Sequence, residues 1–122
     1  MSAKGLIYLA SPYSHAHPDM MDYRWRMVCR AASRLMMEGH LIFSPIAHTH
    51  PIALVGDLPK GWEFWEQYDR SLIEVTGEVW VLRLDGWIES VGVKAEMAYA
   101  MKLGKTVRYV DPTPEEIERG RR

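Results

Sequence analysis

A chain of 122 residues, 48% hydrophobic and 25% charged, has the size and composition of one globular domain with a single core. Its net charge of −1 gives no electrostatic basis for binding nucleic-acid polymers or acidic membranes. Cys29 is the only cysteine, which excludes an intramolecular disulfide and fits a reducing compartment; with no apolar run of about eighteen residues and no signal-peptide core, a cytoplasmic location is expected.

Taken in order, Gly5–Ala10 (GLIYLA) is a near-continuous apolar run, as a central parallel strand covered on both faces requires. Prolines and serines break regular structure over Ser11–Asp19, and an amphipathic helix is predicted from Met20 to Glu38, stopped by Gly39. His40–Phe43 is a second short strand. Ser44 to about Lys60, with several prolines and glycines, reads as a long loop with a binding or lid role. A helix over Gly61–Val75 leads to a third strand, Glu78–Leu84, rich in β-formers.

After a loop holding Gly86 and Trp87, Ser90 is placed to N-cap a helix whose apolar residues Val93, Met97, Ala100 and Met101 fall on one face, with Gly104 as its stop. Thr106–Val110 makes a fourth strand and Pro112–Arg122 a solvated, charged helical tail, with Glu115 and Arg119 paired four apart. The alternation predicts an α/β domain over residues 1–122, a flavodoxin-like or Rossmann-like parallel sheet of four or five strands in the order 2-1-3-4, with helices on both faces.

Chemistry gathers at the carboxyl ends of such strands. Glu96 sits among small and apolar helix neighbours, and a helical side chain leans toward the residue four positions earlier, here Gly92, which leaves its path to the loop mouth open. Tyr8, near the end of the first strand, is placed to reach it across the neighbouring strand. Neither GxGxxG nor a Walker-type phosphate loop occurs, which argues against NAD-dependent and P-loop chemistry.

The run SVGVKAEMAYAMKLGK resembles the signature of the nucleoside 2-deoxyribosyltransferase superfamily, and IYLASPY resembles its first strand. The resemblance implies Glu96 as nucleophile, Tyr8 as the tyrosine that positions it, Asp69 as the residue that contacts or protonates the base, and Ser90 as a polar ligand contact. Members that hydrolyse deoxynucleoside monophosphates carry serine at the Ser90 position. Phosphate-accepting relatives place an arginine in the first loop, where this chain offers Ser11, Ser14, His15 and His17. Ser11, Ser90, Gly92 and His48 are accordingly assigned to substrate binding. The expected ligand is a small nucleoside or nucleotide, with no cofactor and no metal. Relatives are homo-oligomers in which a C-terminal residue of a neighbouring subunit completes the site, and this chain offers no identifiable equivalent.

Two other readings stand beside it. His15-Ala16-His17 and His48-Thr49-His50, with Asp19 or Asp69, are a possible transition-metal set for a metal-dependent hydrolase. Trp62, Trp65 and Trp87 are enough to stack a base in a non-catalytic nucleotide-binding module.

Overall fold

The computed structural model describes residues 3–121; Met1, Ser2 and Arg122, which the predicted domain and tail include, lie outside the described residues. Strands β1 (Ala3–Ala10), β2 (Leu41–Phe43), β3 (Thr76–Leu82) and β4 (Thr106–Val110) form one parallel sheet in the order β2-β1-β3-β4, as expected. The helices are α1 (Pro18–Met37), α2 (Pro45–Gly56), α3 (Trp62–Val75), α4 (Val91–Lys102) and α5 (Pro114–Gly120). Among the described residues no helix is long and apolar enough to cross a membrane.

Strand alternation divides the core into two layers. Ile7 and Leu9 of β1 face one side, with Met27, Val28, Ala31 and Leu35 of α1 and Ile42 of β2. Tyr8 and Ala10 face the other, with Ile73 of α3, Val79 and Val81 of β3, and Val93 and Ala100 of α4. The chain leaves β1 toward one face and β3 toward the other, so the carboxyl ends of these adjacent strands form a topological switch point, the usual position of a crevice in open α/β sheets. Gly5, at φ 91°, lies where the β1–β3 register shifts, a backbone conformation that glycine adopts without strain.

The long loop expected over Ser44–Lys60 is mostly helix α2. Ser44 caps it by accepting from the Ala47 amide at 3.1 Å, Pro45 takes its first turn, and Asp57 ends it in the left-handed conformation. Pro51 lies inside the helix and has no N–H for the carbonyl four residues earlier, that of Ala47. Trp25 of α1 supplies the missing donor, its indole Nε1 giving a hydrogen bond to Ala47 O at 3.3 Å. A tertiary contact thus compensates a residue that breaks helices in isolation.

The C-terminal tail also departs from the expected solvated helix. Thr113 and Glu116 form a reciprocal capping box at the start of α5, and the buried Glu116 carboxylate accepts from Arg34 of α1 at 2.8 and 3.3 Å. Ile117 packs on the α1 side of the core, while the expected Glu115–Arg119 pair forms at 2.9 Å. At the other side of the sheet, α3 runs into β3 without a loop. Lys105 Nζ donates to the carbonyls of Ile73, Glu74 and Thr76 there, neutralising the C-terminal end of α3.

Candidate active site

A cavity of about 700 Å³ opens at the carboxyl ends of β1 and β3, between the β1–α1 loop, α2, the start of α3 and the start of α4. That volume suits a nucleotide-sized molecule. Glu96 projects into it from the second turn of α4, a helix fixed in place by Ser90, whose Oγ accepts from the Val93 amide at 3.2 Å. Gly92, one turn before Glu96, lies at the mouth, where an added methyl would rest 3.6 Å from Trp62 Cε3.

Behind the cavity wall, Tyr8 is completely buried and donates its hydroxyl hydrogen to Glu96 Oε2. Asp69, from the second turn of α3, lines the same cavity, close enough to both for their charges to be felt. Three groups from β1, α3 and α4 therefore meet at one point. Burial raises the Glu96 carboxyl well above its ordinary range, and the nearby Asp69 charge raises it further. Burial likewise raises Asp69 from 3.8 to about 6, against the lowering effect of its polar neighbours Glu96 and Tyr8. Burial and the two carboxylates push the Tyr8 phenol well above its usual value, so it stays a donor. Two carboxyls in a dry site repel when both are charged, which favours a state in which the pair shares one proton.

The surrounding wall carries both aromatic and polar groups. Trp62 and Trp65 line the cavity; Trp87 does not, and packs instead near Tyr109. Ser11 is buried on the cavity wall, and its hydroxyl has no partner among the described residues. The sequence alone did not reveal Arg24. It occupies a position on the apolar face of α1, between Met21 and Met27, and its side chain reaches the cavity. Its guanidinium donates to Ser14 O at 3.0 Å, Tyr13 O at 3.4 Å and Asp85 O at 3.2 Å, which ties the β1–α1 loop to the β3–α4 loop. Among the described residues it forms no ion pair, and its Nε has no partner. A cation inside an apolar helix stripe was the signal for it.

Residues 5–111 match the model of a family described as a domain of unknown function, DUF1937. The chain belongs to that family. No curated protein matches it.

In this DUF1937 domain the predicted site residues Glu96, Asp69, Ser11, Ser90 and Gly92 line one cavity, and Tyr8 supports it from behind. His48 does not join them. Because α2 is a helix, residues two apart lie on nearly opposite sides: His48 is exposed near Phe43, outside the cavity, and His50 is buried against α1. The same geometry divides the His48-Thr49-His50 pair. Among the described residues no three His, Cys, Asp or Glu side chains are grouped as a metal site would need.

Gly86 holds the DUF1937 cavity's far wall at φ 94°, and a methyl there would fall 2.5 Å from Arg24 Nη2. Gly86→Ala is expected to cost about 1–3 kcal/mol through backbone strain and the displaced guanidinium, seen as a melting temperature several degrees lower. An unchanged melt would mean that the loop relaxes freely and that Arg24 does not fix it.

Proposed function

We propose that the protein cleaves the N-glycosidic bond of a nucleoside or deoxynucleoside 5′-monophosphate, by hydrolysis or by transfer of the sugar. The observation that carries this reading is the buried Tyr8–Glu96–Asp69 group at the floor of a nucleotide-sized cavity. The proton that the two carboxyls share passes from Glu96 to Asp69 as the freed Glu96 carboxylate attacks the anomeric carbon; the N-glycosidic electrons leave with the base, and Asp69 delivers that proton to it. Water, or a second base, then attacks the same carbon. It displaces the Glu96 carboxylate and returns its proton to Asp69. Tyr8 holds Glu96 through one oxygen and leaves the other for attack.

Arg24 favours the phosphorylated member of the substrate class. A cation without a carboxylate partner, the unpartnered Ser11 hydroxyl and the first turn of α4 all border the cavity. As first helical residues, Val91 and Gly92 have no intrahelical acceptor for their amides, which suits an anion. This supplies from α1 the positive charge that the first loop lacks.

The test is free-base release from a panel of nucleosides, deoxynucleosides and their monophosphates, run with and without a chelator. The expected result is chelator-resistant release, with monophosphates preferred by at least about tenfold in kcat/KM and that preference lost in Arg24→Gln. Binding of nucleotides without turnover favours a sensor module, for which Trp62 and Trp65 supply the stacking surface.

A further inference from the structure

We infer that Tyr13 determines specificity in this cavity by presenting a hydrogen-bond acceptor, because the neighbouring Asp22–His50 pair fixes the direction in which its hydroxyl hydrogen points. The inference rests on the proposed reading only for the choice of probe ligands.

Tyr13 lines the cavity from the β1–α1 loop, and its hydroxyl lies 2.6 Å from Nδ1 of His50. His50 is 4% exposed, with Trp25 stacked on one face at 5.0 Å and the Tyr13 ring meeting it edge-on, so the imidazole is held in one orientation. Its Nε2 has no hydrogen-bond partner among the described residues, and faces Asp22 Oδ1 at 3.8 Å. A bare Nε2 would aim its lone pair at a carboxylate, whereas a protonated Nε2 is attracted to it. The neutral ring therefore carries its hydrogen on Nε2, and Nδ1 is an acceptor.

The rest follows from counting hydrogens. Tyr13 has one, and donates it to Nδ1. Its oxygen retains acceptor capacity but has nothing to donate. A ligand that places an amino, imino or hydroxyl hydrogen at this wall is bound; one that places a carbonyl oxygen there meets lone pair against lone pair. Burial also lowers the affinity of His50 for a second proton, against the opposing pull of Asp22, which preserves the arrangement at neutral pH. The charged groups around the ring are Asp22 and its partner Arg26 on α1, 2.6 Å apart; from the loop, which also carries His15 and His17, Tyr13 is the titratable group bonded to the ring, and His48 of the same helix faces away. Once acid protonates His50, Nδ1 becomes a donor and the phenol hydrogen is released to the cavity.

The experiment compares binding of ligand pairs that differ by one donor, using the Glu96→Gln form to prevent turnover. The pairs are 2′-deoxyadenosine against 2′-deoxyinosine 5′-monophosphate, 2′-deoxycytidine against 2′-deoxyuridine 5′-monophosphate, and ribo- against deoxyribonucleotides. At least one pair is expected to favour the donor-bearing member by about tenfold at pH 8, and Tyr13→Phe, which keeps the ring, is expected to remove that preference. With Tyr13 present, the preference should also weaken once the solution is acid enough to protonate His50. A ¹⁵N spectrum of the His50 ring reports the tautomer directly. Ratios unchanged by Tyr13→Phe, a Tyr13-dependent preference for the carbonyl member, or a hydrogen found on Nδ1 overturns the inference alone. Failure of every nucleotide to bind overturns it together with the proposed function.

Discussion

Glu96→Gln is expected to reduce base release by at least about a thousandfold in kcat, with binding of the same nucleotides retained. Glutamine fills the same space at the end of the same helix turn, but cannot form the glycosyl bond or balance positive charge at the anomeric carbon. Tyr8→Phe should be milder, about tenfold to a hundredfold, because Tyr8 acts through its hydrogen bond to Glu96 and does not touch the sugar. Its loss should appear mainly in kcat. Asp69→Asn should fall between them, within about 10²–10⁴-fold, and most severely for bases that leave poorly without a proton. This order is diagnostic. A metal-bound water as nucleophile would make activity sensitive to chelators and tolerant of Glu96→Gln. Retained turnover in the Glu96 variant therefore ends the carboxylate mechanism, whatever the substrate panel shows.

The parts of the fold visible in the sequence were those that obey local rules. β1 and β3 are buried apolar runs, α1 and α4 end at Gly39 and Gly104 in positive-φ conformations, and the alternation of strands with helices gives a parallel sheet with right-handed crossovers, one of whose common orders is the observed β2-β1-β3-β4. Glu96 stood out for the same reason, as a carboxylate among small helix residues. α2 was hidden because its stability is not local. Pro45, Pro51 and Gly56 read as breakers, and the indole of Trp25 that answers the open carbonyl of Ala47 lies 22 residues away in the chain. Reading α2 as loop carried the His48 assignment with it, since a loop allows His48 and His50 to share a direction and a helix does not. Arg24 was hidden by length: its guanidinium reaches carbonyls 10, 11 and 61 residues away, and no spacing rule encodes that reach.

The carboxyl pair should also make the protein less stable at alkaline than at acidic pH, and Asp69→Asn should remove much of the difference. Asp69 takes up its proton near 3.8 when unfolded and about 6 when folded, so between those values the native state binds more protons than the unfolded chain. Stability is then full below the unfolded value, falls as pH rises through this window, and stays lowered above about 6. A rise of about two pK units corresponds to about 3 kcal/mol, reduced to about 2 kcal/mol because Asp69 is partly exposed. Glu96, raised for the same reasons, acts in the same direction. Asparagine has no charge to bury and relieves Glu96 of its neighbour. The variant is expected to melt several degrees higher than the parent at pH 8 and within about a degree of it at pH 4. Glu66→Gln, at an exposed helix pair with Arg70, serves as the control and should shift the melt little at either pH. A chain that keeps two mutually repelling carboxyls beneath a completely buried tyrosine gives up stability that a neutral pair would provide, and sites that carry out chemistry are where proteins accept that loss. Equal melting curves at pH 8 would mean that both carboxylates are hydrated and charged, and would remove the shared proton on which the cleavage step depends.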